Sequence, residues 1–237
     1  MRARLSGIAE IAHFGEITGG DLVLSHGSCA YVINPVRRRL LALSYSTFLL
    51  LLFVAALQPE CLAVPAMQRI ENFTLSGLDG EKFELYAHAD ARAIVIISQG
   101  NGCPIARLSV VRINELAEQY AKQGVTFLMI NANPQDSIDQ IRAESADFQI
   151  KPPIFKDESQ SVSRILGITR TAEVVVIKPQ SLEVVYRGAL DDRLDYQIQR
   201  ATTEHHYLVD ALNAILNGKE ISVPRTVTKG CLISRQN

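Results

Sequence analysis

The stretch AIVIISQGNGCP, residues 93–104, decides the fold. Its first five residues are apolar and rich in β-branched side chains, which indicates a strand buried on both faces of a sheet. Pro104 stands where a helix would begin, and apolar residues then recur at helical spacing as far as Tyr120. Lys122 and Gly124 match the end of such a helix. The stretch therefore predicts a buried strand, a Gly-rich loop and a long helix.

The chain beyond this unit continues to alternate between strands and helices. The patterns predict further strands at residues 72–75, 125–130, 174–177 and 184–186, with a hairpin turn at residues 179–181. They predict three further helices, at residues 137–148, 159–166 and 196–216. Ser137 is the expected N-cap of the helix at residues 137–148. This order predicts an α/β fold in which a central mixed β-sheet is flanked by helices on both faces.

The composition excludes several classes of function. The 237 residues are 47% apolar and 21% charged, as in a globular protein, and the net charge of -1 predicts no binding to nucleic acid. The four cysteines, Cys29, Cys61, Cys103 and Cys231, are too scattered for a disulfide framework. Without a Cys-x-x-Cys pair the spacing excludes a zinc ribbon, and we predict no metal site and no cofactor.

Residues 36–63 have the pattern of an export signal. Three arginines, residues 37–39, precede an almost wholly apolar run, and small residues follow it. We expect cleavage after Ala63, and the alternative is an uncleaved membrane anchor, because the run of about 18 residues is at the lower limit for a membrane span. Both interpretations place residues 64–237, a single domain with a C-terminal tail, outside the cytoplasm. We therefore expect a periplasmic or extracellular protein, and the anchor alternative implies membrane association through the N-terminal segment.

Residues 1–35 form an extension that does not fit an export signal, which normally begins the chain. We expect that translation starts downstream, with Val36 as the candidate first residue. In the exported form Cys29 and Cys61 would then be absent, and Cys103 and Cys231 would be the two remaining thiols.

Cys103 is the candidate reactive residue. It lies between the buried strand and the helix that opens at Pro104, where unpaired amide N–H groups and the positive end of the helix dipole stabilise a thiolate. Gly100 and Gly102 keep the loop small enough for an oxidant or a disulfide to approach. The alternative is a buried cysteine that only packs.

Four landmarks share one order with a known family. They are Gly-x-x-Cys-Pro at residues 100–104, Thr-Arg-Thr-Ala-Glu at 169–173, the segment at 186–193, and Lys-Gly-Cys-Leu-Ile at 229–233. Together they resemble the redoxin branch of the alkyl hydroperoxide reductase/thiol-specific antioxidant superfamily. The resemblance implies a thioredoxin-like fold, with Cys103 in the place of the attacking cysteine.

Two positions depart from this pattern. Gly100 stands where peroxiredoxins have a threonine or serine and where thioredoxins have a second cysteine. Ala172 stands where the thioredoxin fold usually has a cis-proline, and we expect a trans peptide bond there because a cis bond before a non-proline residue is costly.

The resemblance also assigns two further residues. Cys231, near the end of a tail that follows Pro224, is the candidate resolving cysteine, and whether it forms a disulfide with Cys103 stays open. Arg170 lies in the loop expected to face Cys103, where it would stabilise a thiolate or a peroxide oxygen, or simply remain solvated.

The sequence thus predicts a thiol-dependent oxidoreductase that reacts with a peroxide or a protein disulfide and is recycled by an external thiol reductant. The alternative is a non-catalytic binding module on a thioredoxin scaffold. A third hypothesis is a copper chaperone, and the lack of a Met or His cluster around Cys103 in the sequence argues against it.

Overall fold

The computed structural model describes residues 23–26, 29–32 and 68–236. Contacts divide the chain into two units, Met1–Val64 and Pro65–Asn237. In the first unit, strands β1 (Val23–His26) and β2 (Cys29–Val32) pair antiparallel. The predicted export signal or anchor at residues 36–63 lies outside the described residues.

The second unit is built on one sheet of eight strands. These are β3 (Gln68–Arg69), β4 (Thr74–Gly77), β5 (Lys82–Glu84), β6 (Ala93–Gln99), β7 (Val125–Asn131), β8 (Ile154–Lys156), β9 (Val174–Lys178) and β10 (Glu183–Gly188). Their order across the sheet is β3-β10-β9-β6-β7-β8-β4-β5. Strands β6, β7 and β8 run parallel and all other neighbours are antiparallel. The predicted mixed sheet is therefore confirmed.

Four helices and one short 3₁₀ helix accompany the sheet. They are α1 (Pro104–Ala121), α2 (Ile138–Asp147), α3 (Ser161–Ile165) and α4 (Tyr207–Leu216), with the 3₁₀ helix at Leu85–His88. Helix α1 begins at Pro104, as predicted. Ser137 caps α2 and forms a reciprocal capping box with Gln140, which satisfies two amide groups that the helix itself leaves unpaired. Within the part of the chain that the structure describes, no helix is long and apolar enough to cross a membrane.

Two hydrophobic cores cover the two faces of the sheet, because alternate residues of each strand point in opposite directions. On one face, Val95 and Ile97 of β6 pack with residues of α1, α2 and α4. On the other face, Ile94 and Ile96 pack with residues of α3, the 3₁₀ helix and strands β4 and β5. Helices on both faces are thus confirmed. Ile233 of the C-terminal tail belongs to the second core, which anchors the tail two residues after Cys231.

The last helix differs from the prediction. It begins at Tyr207 rather than at Tyr196. In residues 191–206 the backbone groups find other partners: the Asp192 carboxylate accepts the amide N–H groups of Glu204 and His205, at 3.0 and 3.1 Å. Ile198 is exposed, so this segment lacks the buried stripe that holds a surface helix in place. The short strands β3, β5 and β8 were not predicted, because each has only two or three residues.

Candidate functional site

Cys103 occupies the junction between β6 and α1. It is the N-cap residue of α1, with extended backbone angles (φ -74°, ψ 116°), and its carbonyl oxygen accepts the amide N–H of Arg107 at 3.0 Å. Its own amide donates to Gly100 O at 3.3 Å, which closes the loop into a tight turn. The residue is only 2% exposed. The sulfur therefore lies at the first turn of a long helix, largely sheltered from solvent.

Thr171 brings a hydroxyl group to this sulfur from the opposite loop. Its Oγ1 donates to Cys103 Sγ at 2.9 Å, across 68 residues of sequence, and it is buried. The same oxygen accepts the amide N–H of Cys231 at 2.9 Å. One side chain therefore contacts both candidate reactive residues.

The loop around Thr171 is fixed by its backbone. Ala172 has a positive φ of 58° and donates its amide to Ser98 O at 2.7 Å, which ties the loop to β6. The described part of the chain has no cis peptide bond, so the expected trans bond at Ala172 is confirmed. The loop thus places Thr171 over Cys103 without a cis-proline.

Gly100 is explained by the same threonine. A Cβ atom at position 100 would collide with Thr171 Cγ2 and would lie 2.7 Å from Asn133 Nδ2. The space that a side chain three residues before Cys103 would fill is therefore taken by Thr171. Gly100 lacks the hydroxyl of the threonine or serine found at this position in peroxiredoxins, and the Thr171 hydroxyl, from a different loop, contacts Cys103 instead.

Cys231 lies beside Cys103 because the tail pairs with the loop of Thr171. The Thr171 amide donates to Cys231 O at 2.9 Å, and the Ile233 amide donates to Thr169 O at 3.0 Å. Arg170 and Leu232 form an antiparallel bridge between these two bonds. Cys103 and Cys231 are both free thiols, the first buried and the second exposed.

The two thiols have pKa values shifted in opposite directions. Burial acts to raise the pKa of Cys103, but hydrogen bonds from the Thr171 hydroxyl, the Ala106 backbone and Cys231 outweigh it, so the pKa is lowered. Desolvation of the sulfur and its interaction with Cys103 raise the pKa of Cys231. Cys103 is therefore the better nucleophile at neutral pH and the better leaving group in a disulfide between the two.

Two buried carboxylates hold the loop that precedes Cys103. Glu144 of α2 accepts the Gly102 amide at 2.9 Å and binds the Arg107 guanidinium at 2.7 Å. Asp136 accepts the Asn101 amide at 3.0 Å. The carboxylates thus fix two consecutive amide groups of the loop and keep its geometry.

A buried polar network lies behind this loop. Lys156 donates to Asn131 Oδ1 at 3.1 Å and to the carbonyl oxygens of Asn133 and Asp136, at 2.6 and 2.9 Å. Desolvation lowers the pKa of Lys156, while nearby carboxylates, Asp136 among them, oppose that shift. Every proton of the ammonium group has a partner, so this network holds the loop rather than reacting.

Arg170 does not reach the sulfur of Cys103 through any hydrogen bond. Its guanidinium donates to Gly230 O at 2.9 Å and to the Tyr196 hydroxyl at 2.8 Å. Its positive charge acts on Cys231, whose pKa it helps to lower against the larger raising effects. In the structure the Arg170 side chain therefore contacts the tail rather than the Cys103 sulfur. The predicted catalytic roles of Cys103, Cys231 and Arg170 stay predictions.

A separate cluster of possible metal ligands lies away from these residues in the sequence. Donor atoms of Asp192, Glu204 and His205 lie within 4.8 Å of one another. Asp192 already accepts two backbone amides and binds Arg200 at 3.0 Å, so its oxygens are engaged in holding the loop. Met129, predicted to be a core residue, is buried in the first hydrophobic core.

Sequence reasoning identified both cysteines but missed the residues that surround them. Thr171 belongs to the Thr-Arg-Thr-Ala-Glu landmark, yet nothing in the sequence indicated which of its side chains faces Cys103. Glu144 and Tyr196 lay in segments read as helices, where a polar side chain is usually solvated.

The arrangement defines a thioredoxin-like protein of the thiol oxidoreductase type, with a cysteine of lowered pKa at the N-terminus of α1. The chain belongs to the AhpC/TSA family, whose sequence profile matches residues 66–211. The family and the thioredoxin-like fold expected from the sequence are thus both confirmed.

Solved structures agree with this assignment. A hypothetical protein from Sinorhizobium meliloti is 26% identical, with a TM-score of 0.65, covering 73% of this chain and 96% of that one. An uncharacterized conserved protein from Geobacillus kaustophilus is 28% identical, with a TM-score of 0.64, covering 73% and 93%. A putative thiol:disulfide interchange protein from Chlorobium tepidum shares the fold at 15% identity, with a TM-score of 0.52, covering 63% and 96%. No curated protein matches the chain.

Proposed function

We propose that this chain reduces hydroperoxides, with the Cys103 thiolate as the nucleophile and Cys231 as the resolving thiol. The thiolate attacks one peroxide oxygen, the O–O bond breaks, and the departing alkoxide or hydroxide takes a proton from solvent. Cys103 is thereby oxidised to a sulfenic acid. The Cys231 thiol then attacks the Cys103 sulfur, a disulfide forms and water leaves.

The observation that supports this proposal is the shared hydroxyl of Thr171, which bonds Cys103 Sγ and the Cys231 amide at 2.9 Å each. It stabilises the attacking thiolate and keeps the resolving residue beside it. Because Cys103 is 2% exposed and lies under the tail, a small peroxide suits the site better than a folded protein with a disulfide.

The exposure of Cys231 supports recycling by an external thiol. In the disulfide state, an incoming thiolate would attack the exposed Cys231 sulfur and release Cys103, whose lowered pKa favours its departure. A second external thiol then frees Cys231, so that two external thiols are oxidised to one disulfide. A thiol reductant is therefore the partner that this site requires.

We also propose that the protein acts outside the cytoplasm. The support is the basic and apolar pattern of residues 36–63, which is typical of an export signal or an anchor. Fractionation of cells that express the full chain, with the mature N-terminus determined by sequencing, tests this. Recovery of the uncut chain from the cytoplasm would contradict it.

The test of the reaction uses the chain with Cys29 and Cys61 replaced by Ser, so that two thiols remain. The reduced protein is mixed with hydrogen peroxide and its intact mass is followed with time, beside Cys103→Ser and Cys231→Ser variants. We expect rapid disulfide formation in the parent, a persistent sulfenic acid in Cys231→Ser, and no rapid oxidation in Cys103→Ser. A Cys103 that reacts as slowly as free cysteine would favour the alternative, a binding module on this scaffold.

A further inference from the structure

The C-terminal tail is held at Gly230 by side-chain hydrogen bonds, in addition to the backbone pairing that holds the residues after it. Gly230, directly before Cys231, has both of its backbone polar groups bonded to a side chain. Its amide donates to the Tyr196 hydroxyl at 3.1 Å, and its carbonyl oxygen accepts that hydroxyl at 2.7 Å. The same carbonyl accepts the Arg170 guanidinium at 2.9 Å.

Arg170 and Tyr196 are themselves joined, with Arg170 Nη1 donating to the Tyr196 hydroxyl at 2.8 Å. Tyr196 comes from the loop between β10 and α4, and Arg170 from the loop of Thr171. Gly230 in the tail is thus hydrogen-bonded to side chains from two separate segments of the chain. Lys229 adds to this contact, because its ammonium lies 5.7 Å from the centre of the Tyr196 ring and 3.5 Å from Asp195.

Gly230 also packs closely against the Thr171 loop. A Cβ atom at this position would collide with the carbonyl oxygen of Thr171, so the tail backbone lies directly against that loop. Cys231 follows directly: its amide donates to Thr171 Oγ1, and its carbonyl oxygen accepts the Thr171 amide. The position of the Cys231 sulfur therefore depends on where Gly230 is held.

We propose that Arg170 and Tyr196 form a clamp on Gly230 that positions Cys231 for attack on the Cys103 sulfur. The proposal rests on the resolving role of Cys231 described above. The two clamp side chains act through the backbone, make no hydrogen bond to Cys103, and are positioning residues. They raise the rate of disulfide closure because a thiol held near its target reacts as if at a high local concentration.

The proposal separates two rates that a general loss of structure would change together. Attack by Cys103 on an outside molecule depends on its thiolate, which the Thr171 hydroxyl, the Ala106 backbone and Cys231 stabilise. The Tyr196 hydroxyl bonds to Arg170 and Gly230 and to none of these three. Closure of the disulfide depends on the place of Cys231. Loss of the clamp is therefore expected to slow closure by a larger factor than the first attack.

The test uses the aromatic disulfide dithiobisnitrobenzoate and the full chain with Cys29 and Cys61 replaced by Ser. The Cys103 thiolate attacks one sulfur of the reagent and releases one coloured thiolate. The Cys231 thiol then loses its proton to solvent and attacks the Cys103 sulfur of the mixed disulfide, which releases the second coloured thiolate. The same measurement in a Cys231→Ser background gives the first rate alone.

Tyr196→Phe loses both hydrogen bonds between the hydroxyl and Gly230 and the one from Arg170. We expect it to slow the second release about three- to tenfold and the first release by a smaller factor. Arg170→Lys, which keeps the positive charge and an N–H donor group, should slow the second release less than Arg170→Ala. Tyr86→Phe is the matched control, since Tyr86 is exposed and its hydroxyl makes no hydrogen bond among the described residues. Circular dichroism of each variant confirms that it folds.

The outcomes separate the two proposals. A second release that is equally fast in Tyr196→Phe and Arg170→Ala overturns the clamp and leaves the resolving role of Cys231 intact. Equal slowing of both releases also overturns it, because the effect would then be general. A parent protein without any second release overturns both proposals. Two releases with clamp-sensitive closure, but no reaction with peroxide, would support the clamp and reject the peroxidase.

Discussion

Replacing Thr171 by Val should raise the pKa of Cys103 and slow its reactions at neutral pH. Valine keeps the shape of threonine, including the methyl group that fills the space beside Gly100, and removes only the hydroxyl that donates to Cys103 Sγ at 2.9 Å. A hydrogen bond to a charged group contributes about 1.5–3 kcal/mol. At 1.36 kcal/mol per pKa unit, this loss corresponds to an increase of about one to two units.

The assay is the rate of Cys103 alkylation by iodoacetamide as a function of pH, in a background where Cys29, Cys61 and Cys231 are Ser. The midpoint of the rate profile gives the thiol pKa. Thr171→Ser is the matched control, because it keeps the hydroxyl and loses only the methyl group. We expect its midpoint to stay within about half a unit of the parent, since the hydrogen bond that lowers the pKa remains.

The Cys231 amide also loses its side-chain acceptor in Thr171→Val, so the attachment of the tail is checked separately. Hydrogen exchange at Ile233, whose amide donates to Thr169 O, reports whether the tail remains paired. The reasoning is refuted if the tail stays paired and the midpoint of Thr171→Val equals that of the parent. It is equally refuted if Thr171→Ser shifts the midpoint as far as Thr171→Val does.

Three further predictions concern stability. Gly100→Ala should destabilise the fold by roughly 1–3 kcal/mol, because the new methyl group collides with the Thr171 side chain, and a urea titration with no shift in midpoint would contradict this. Glu144→Ala should cost about 1–3 kcal/mol in the same titration, because the Gly102 amide loses its acceptor, and Glu144→Gln should cost less. Since the folded-state pKa of Cys103 is lowered, its thiolate stabilises the fold above the ordinary thiol range and this gain is lost as pH falls through the folded-state pKa. In the Cys231→Ser background, the free energy of unfolding should therefore rise with pH relative to a variant that also carries Cys103→Ser, and a parallel pH dependence would contradict the shift.

Much of the fold was predictable because its strongest patterns are local. The apolar run of β6, the helical spacing of α1 and the Ser137 cap of α2 each depend on residues close in sequence, and each was confirmed. The start of α4 was not predictable in this way. The Asp192 carboxylate accepts the amides of Glu204 and His205, which lie 12 and 13 residues further along the chain. A local hydrophobic pattern does not show that these amides have a partner other than helix carbonyl groups.

The sequence by itself determined that Cys103 stands between a buried strand and a helix, and therefore that its thiolate is favoured, because the strand, the Gly-rich loop and Pro104 are contiguous. Only the tertiary structure decided which groups meet that sulfur. Thr171 and Cys231 lie 68 and 128 residues further along the chain, and the order of strands in the sheet brings the Thr171 loop and the tail to the end of β6. The tertiary structure also decided the partner of Arg170. A guanidinium carries only hydrogen-bond donors, and the packing of the tail places the Gly230 carbonyl oxygen within their reach.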